Sequence, residues 1–302
     1  MVTVVTVPAT TANLGPGFDC LGAALTLTNT FTFSASDRPC VVIRGAEAAG
    51  VASSTDNLAY RAYCRLYEHL GREAPPVYLE IELGVPLARG LGSSATAIIG
   101  GLVGANRLAG FPLSHTEVLE LAIALEGHPD NVVPALLGGC RLAVREEHSG
   151  TWRWLDVPWD SDVVPIVAIP DFELATETAR HVLPATCSYT DAIFNISHLG
   201  ALLRGLETGH RDWLQVALQD HLHQPYRQCL IKGYADLHAA ALAAGAYGLV
   251  ISGAGPTLLA LGDPVNAMGI ASTLRDTWAT LGVQARVEVL AVQQEGTTVQ
   301  DR

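Results

Sequence analysis

Gly90-Leu91-Gly92-Ser93-Ser94-Ala95 follows Pro86 by four residues and opens a stretch of small and apolar residues reaching Leu108. Two glycines let the backbone turn tightly and approach a ligand closely. The two serines stand where a helix begins, as N-cap and first-turn residues. Unpaired amides at a helix start, at the positive end of its dipole, attract an anion. Ala95, Thr96, Ala97, Gly100, Gly101, Gly104 and Ala105 are small, so the helix can pack close behind the loop. The pattern predicts a phosphate cradle. A Gly/Ser-rich turn before a helix also serves as a plain turn, so the neighbouring segments must decide.

Hydrophobic residues make up 49% of the 302 residues and charged residues 16%, a balance that builds one large or two medium packed domains. The net charge of −12 argues against binding nucleic acid, whose phosphates demand basic patches. No basic start followed by an apolar core marks a secretory signal. Ala239 to Gly262 carries no charge, but Gly245, Gly248, Gly253, Gly255 and Pro256 punctuate it into helix, strand, turn and strand, a buried core and not a membrane span. Six scattered cysteines predict reduced thiols in a cytoplasmic protein. No firm metal-ligand spacing of histidines appears. Lys232 is the only lysine, which excludes a Walker A loop and the usual protein-kinase lysine. Any nucleotide phosphate must then be held by backbone amides, hydroxyls and a metal ion.

The elements that position these residues follow from periodicity. Val2–Val7 reads as a strand stopped by Pro8, and Ala9–Asp19 as a loop. Strands follow near Leu21–Phe33 and Cys40–Arg44, a helix over Asn57–Leu70, and a strand over Val77–Leu83. Ser114 and Glu117 form a capping box for a helix to about Leu125. Glu126-Gly127-His128-Pro129-Asp130-Asn131 reads as a loop dense in functional side chains. The polar, Trp-rich stretch Glu146–Asp162 marks a domain boundary, giving units 1–155 and 156–302. Beyond it, strands are expected at Val163–Ile169, Gly248–Ile251, Thr257–Leu261 and Gln284–Leu290. Helices are expected near Leu174–His181, Asp191–Glu207, Arg211–Leu218 and Gly233–Ala244. The polar tail from Gln293 reads as frayed.

Three segments together resemble one family. Pro8-Ala9-Thr10-Thr11-Ala12-Asn13-Leu14-Gly15-Pro16-Gly17-Phe18-Asp19 is similar to the first motif of the GHMP small-molecule kinases, Gly90–Ala95 after Pro86 to their second, and Ser252-Gly253-Ala254-Gly255-Pro256-Thr257 to their third. Within the family, Asn13–Asp19, Glu126–Asn131 running on to Gly139, Thr176-x-x-x-Arg180-x-x-Leu183-Pro184 and His223-Gln224-Pro225-Tyr226-Arg227 resemble the members that phosphorylate L-homoserine. The resemblance implies an α+β, two-domain fold with a ribosomal protein S5 domain 2-like N-terminal domain and a ferredoxin-like C-terminal domain. It also implies ATP-dependent phosphorylation of the homoserine hydroxyl on the route to threonine, and a homodimer.

Carried onto this chain, the resemblance implies a division of labour. Arg180 and Arg227 clamp the substrate carboxylate, since guanidinium forks pair bidentately with carboxylates. Asp19 with Asn13 accepts the ammonium, and His128 and Asn131 hold the polar end, Asn131 nearest the reacting hydroxyl. Pro86, Leu87, Ala88, Arg89, Gly90, Leu91, Gly92, Ser93, Ser94, Ala95 and Thr96 form the ATP loop, with Gly253 and Gly255 closing the pocket and Asn57 at the adenine. Ser94 and Glu126 bind Mg²⁺, a hard cation suited to oxygen ligands. The route of the hydroxyl proton stays open between Asp130 as base and transfer by positioning alone with a relay through Thr176. Other readings are a mevalonate-type or sugar kinase of the same family and an inactive ligand-binding relative. Mevalonate lacks an ammonium, so Asp19 beside two arginines favours the amino acid.

Overall fold

The computed structural model describes residues 2–302. A first sheet of seven strands is built from β1 (Val2–Ala12), β2 (Leu21–Ala35), β3 (Cys40–Arg44), β4 (Val77–Glu82), β5 (Cys140–Arg145), β6 (Trp152–Val157) and β11 (Thr298–Asp301). Its main path runs β11-β1-β2-β4-β3, with β5 joined to β2 and β6 to β5; only β3 and β4 pair in parallel. Its helices are α1 (Leu58–His69), α2 (Ser93–Leu108), α3 (His115–Glu126) and α4 (Pro129–Leu137). Their apolar faces close a core on Phe31, Phe33, Leu79 and Ile81.

The second half carries β7 (Val164–Pro170), α5 (Thr176–His181), α6 (Tyr189–Thr208), α7 (Arg211–Ala217), α8 (Gln224–Arg227), α9 (Tyr234–Ala243), β8 (Gly248–Ile251), β9 (Leu258–Gly262), α10 (Ala267–Thr280) and β10 (Ala285–Val289). Its four antiparallel strands run β10-β7-β9-β8. Successive strand residues face opposite sides. Ile166, Ala168, Leu258 and Ala260 therefore meet α9 and α10, while Val167, Ile169, Leu259 and Leu261 join a core shared with the first sheet through Ala9, Leu21 and Leu91. That shared core fixes the two halves against each other beside the glycine loop. No helix among the described residues is long and apolar enough to cross a membrane. The uncharged run from Ala239 is the end of α9, then β8, a turn and β9.

Several elements differ from the sequence reading. β1 does not stop at Pro8: a register shift at Pro8/Ala9 absorbs the proline, and Ala9–Ala12 continue the ladder against Leu25–Gly22. The stretch read as a loop to Asn131 becomes helical at Pro129, which sits in the first turn, where its missing N–H costs nothing. Gly92, at φ +67°, is the N-cap of α2, and Ser93 and Ser94 are its first helical residues. The tail is not frayed: Thr298–Asp301 pair with Thr6–Thr3, and Asp301 accepts a hydrogen bond from Thr3 and pairs with Arg107. β5, β6 and α10 were not expected at all. The Ser114–Glu117 capping box is present as read.

The small residues of α2 are required by contact. A Cβ on Gly100 would stand 2.4 Å from the Phe31 ring, one on Gly101 2.1 Å from the Ala59 carbonyl, and one on Gly104 2.2 Å from the Phe33 ring. Helix propensity alone makes Gly104→Ala a gain of about 1 kcal/mol. Overpacking against Phe33 makes it a loss of about 1–3 kcal/mol. Denaturant unfolding should show the loss; a stabilised variant would contradict this packing.

Candidate active site

Two clefts meet at the glycine loop. The first, about 210 Å³, is lined by Asn13, Asp19, Ser94, Glu126, His128, Asp130, Asn131, Thr176, Arg180 and Arg227, together with Gly90, Gly92 and Gly253. The second, about 330 Å³, is walled by Phe31, Val51, Leu58, Ile81, Leu83 and Leu87. Ala88, Ser93 and Ser94 line both. A polar, charged cleft and an apolar one thus share an open helix start. No side chain caps α2, so nothing of the N-cap covers the amides of its first turn.

The acidic wall comes from α3, α4 and the turn between them. Ser94 Oγ donates to Glu126 Oε1 at 2.5 Å, bringing two oxygens to one point beside the loop. Burial raises the Glu126 carboxyl above its ordinary range, against the opposing Ser94 bond. His128 Nδ1 is bonded to Asp130 Oδ1. Burial lowers the His128 pKa, but the bond and charge of Asp130 outweigh it and the net shift is upward. Asn131 Nδ2 lies 3.4 Å from the same Asp130 oxygen, leaving Oδ2 without a hydrogen-bond partner among the described residues. Pro134 supplies no N–H to the Asp130 carbonyl, which packs instead on Gly22, where a Cβ would stand 1.8 Å away.

The cationic wall comes from the second half. Arg180 makes a bidentate pair with Asp19, Nη1–Oδ2 at 3.0 Å and Nη2–Oδ1 at 2.9 Å, which raises the guanidinium's pKa. Asn13 Oδ1 accepts the Asp19 amide at 2.9 Å while its Nδ2 donates to Gly253 O at 2.7 Å. Arg227 is buried, which lowers its pKa; Nε donates to Ala179 O and Nη1 to Gly253 O. The ring of Phe18 lies beneath both arginines, 5.1 Å from Arg227 and 6.0 Å from Arg180, and stacks on His223. His223 Nε2 sits 2.9 Å from Gly15 O, a pure acceptor, so Nε2 carries the proton and Nδ1 faces Arg227. Burial lowers the His223 pKa and keeps the ring neutral.

Asn13, Asp19 and Ala88, all lining the first cleft, have φ of +71°, +56° and +50°. Left-handed backbone at non-glycine residues persists only where surroundings over-determine it, as at functional sites.

Other expected residues lie elsewhere. Leu91, Ala95 and Thr96 are fully buried behind the loop. Gly255 packs near Ile231, Ile251 and Leu174. Pro86 and Arg89 line a recess on the far side with Pro170 and Asp171. Asn57 lines the apolar cleft, but its side chain caps α1 by accepting from Ala59 N and Tyr60 N and donates to Ala52 O. Thr10, Phe18, Ser252 and the Asn195–Asp220 pair were not singled out. Thr10 Oγ1 donates to Asn131 Oδ1 at 2.7 Å, and a Cβ on Gly92 would meet that hydroxyl at 2.0 Å. Asp220 accepts from Asn195 Nδ2 at 2.6 Å and from the amides of Leu222, His223 and Gln224. The placement of Thr10 and Phe18 in the first motif and of Ser252 in the third hinted at these roles.

Thr10→Val should strand a buried acceptor on Asn131 and cost about 1–3 kcal/mol in denaturant unfolding. An unchanged midpoint would mean that Asn131 is held by something other than Thr10.

Comparison with known proteins agrees with this geometry. The family model described as GHMP kinases N terminal domain matches residues 57–139, and GHMP kinases C terminal matches residues 199–280. The chain is 80% identical to the homoserine kinase of Thermosynechococcus vestitus over 302 residues, all of both chains. Its fold is similar to a crystal structure of homoserine kinase from Cytophaga hutchinsonii (TM-score 0.89, 30% identity, 99% of this chain and 97% of that one). It is also similar to a putative homoserine kinase from Listeria monocytogenes (TM-score 0.76, 31% identity, 99% and 100% covered). This chain belongs to the homoserine kinase family of the GHMP kinases.

Proposed function

We propose that the chain transfers the γ-phosphoryl group of ATP to the side-chain hydroxyl of L-homoserine, giving O-phospho-L-homoserine. The observation that carries this reading is the pairing of Asp19 with Arg180 in a cleft that opens onto the uncapped start of α2. A free amino acid presents an ammonium and a carboxylate. Asp19 and Arg180 satisfy each other here, and the same groups can take a substrate instead, Asp19 the ammonium and Arg180 with Arg227 the carboxylate. Either way, neither charge is left desolvated and unpaired. Mevalonate and sugars offer no ammonium to Asp19.

The apolar cleft takes the adenine, with Asn57 supporting its wall. The amides of α2's first turn hold the transferring phosphates, as the lone lysine, Lys232, lies outside both clefts. Ser94 and Glu126 fit Mg²⁺, which takes one or two protein oxygens beside phosphate oxygens and water; the ion would neutralise charge that develops during transfer. No group of three or more metal-ligating side chains occurs among the described residues, so most ligands would come from nucleotide and water. Asn131, fixed by Thr10, orients the acceptor hydroxyl. Its proton passes to the unpartnered Oδ2 of Asp130, while His128 and Asn131 stabilise the other oxygen. Transfer through a loose transition state asks for that proton late, and Thr176 on the opposite wall bounds the path.

The reading treats 1–155 and 156–302 as the two units, with Asp156 and Val157 completing β6 of the first and β11 returning to it. It includes a cytoplasmic location, supported by six free cysteines. It also includes a homodimer, supported by Tyr189, Ile193 and Ile196, exposed at 91%, 64% and 72% on one face of α6.

ADP release measured with homoserine and with 4-hydroxybutyrate, on wild type and Asp19→Asn, tests the assignment as a double-mutant cycle. Wild type should prefer homoserine over 4-hydroxybutyrate, mevalonate, galactose and shikimate, and EDTA should abolish turnover. Asp19→Asn should lower kcat/KM for homoserine by about thirtyfold to several thousandfold, the range of roughly 2–5 kcal/mol for a substrate ammonium that binding has desolvated and left unpaired. The loss for 4-hydroxybutyrate should be far smaller. Equal losses would show that Asp19 only shapes its loop.

A further inference from the structure

Arg89 is the one charged side chain of the phosphate loop, and its guanidinium points to neither cleft. Nη1 donates to Leu87 O at 2.7 Å and pairs with Glu47 at 3.1 Å, Nε donates to Pro170 O at 3.0 Å, and Nη2 reaches Asp171 O at 3.4 Å. Glu173 lies 3.7 Å from Nη1. The Arg89 side chain is only 12% exposed. Glu47 also accepts the Leu87 amide at 2.7 Å, and its segment runs through Gly50 and Val51 into the wall of the apolar cleft. One fork therefore joins the nucleotide side to the end of β7.

The stretch directly after β7 carries Thr176 and Arg180. Among residues 171–181 only Ala179 is buried. Phe172 packs partly buried against the core of the second half, but beyond it only Ala179 is buried, which places residues 173–181 toward the low end of local stability. The stretch's hydrogen bonds to the rest of the chain are Asp171 N to Gln284 O at 2.9 Å, Leu174 N to Ala88 O at 3.1 Å, Ala179 O to Arg227, Arg180 to Asp19, and the carbonyls of Pro170 and Asp171 to Arg89. Beyond the Gln284 bond at its base, two of these ties start from the phosphate loop and two from groups assigned to the amino acid.

We propose that Arg89 is a positioning residue that couples the two substrates. Phosphates seated on the loop hold Ala88 and Arg89; Arg89 in turn holds residues 170–173 and so orders Arg180 before homoserine arrives. The ordering entropy is spent once, by whichever substrate binds first, and the second binds more tightly. A lysine cannot reproduce this, because an ammonium lacks the planar fork that spans Glu47 and two carbonyls.

The inference rests on the proposed function, and calorimetric titration separates the two. Homoserine is titrated into the full chain with and without Mg²⁺ and adenylyl imidodiphosphate, a non-hydrolysable ATP analogue. In wild type the analogue should tighten homoserine at least about fivefold, the lower end of ordinary coupling. In Arg89→Ala the factor should fall below about twofold, and Arg89→Lys, which keeps a cation beside Glu47, should also lose most of it. General loosening of the fold would weaken each substrate alone and leave the factor in place. A wild-type factor in either folded variant overturns the proposal, as does independent binding in wild type. Failure of wild type to bind homoserine at all would instead remove the proposed function and the coupling with it.

Discussion

Gly90 packs against the backbone of the third glycine motif so closely that a Cβ there would lie 2.2 Å from Ser252 O and 2.9 Å from Gly255 O. Every wall of the candidate site is referred to this contact. The Ser252 hydroxyl donates to Gly90 O at 2.7 Å and, its proton used, accepts from Thr11 Oγ1 at 2.9 Å. Gly253 N donates to Ala12 O, and Gly253 O receives both Asn13 Nδ2 and Arg227 Nη1. Thr257 N donates to Arg89 O. Segments more than 160 residues apart in the chain are thus sewn into one junction by main-chain and side-chain groups, at an approach that only glycine at position 90 allows. The acidic wall hangs on the same junction through Gly92, Thr10 and Asn131.

An acidic chain handling an acidic nucleotide must solve an electrostatic problem locally. The net charge is −12, and the only lysine lies elsewhere. In the proposed reading, attraction for phosphate comes from peptide dipoles at the uncapped start of α2, which need no long cationic side chain. The two arginines of the cleft are engaged by protein groups, Arg180 paired with Asp19 and Arg227 buried against Gly253 and Ala179, and the proposal gives them to the amino acid. Phe18, under both, favours cations by its ring face. The proposed division of labour, backbone for phosphate and side chains for amino acid, follows from these placements.

Much of this was legible because it is local. Glycine spacing at residues 90–92 and the Ser114–Glu117 box each act within a few residues, and both stand where the pattern put them. α10 was legible too and went unread: Ala267, Ile270, Ala271, Leu274 and Trp278 recur at three- and four-residue steps on one buried face. Other features could not be read. β11 is four residues of Thr-Val-Gln-Asp with no apolar rhythm, and it is a strand only because the edge of β1 receives it. Pro8 reads as a strand end, and only the partner strand shows the register shift that accommodates it. The chain order cannot show that Thr10 anchors Asn131, that Arg180 meets Asp19, or that Arg89 turns away from the nucleotide. Those are tertiary contacts between residues whose types alone allow many partners.

The most direct measurement is kcat/KM for ATP and for homoserine in Gly90→Ala, with the unfolding midpoint taken on the same preparations. The added methyl must push the loop off Ser252 and Gly255, and a displacement of about 1 Å at a reacting centre costs on the order of a hundredfold. The expected result is a folded protein whose kcat/KM falls by about that factor or more for both substrates. A folded Gly90→Ala chain with wild-type kcat/KM would contradict the claim that the site depends on this junction.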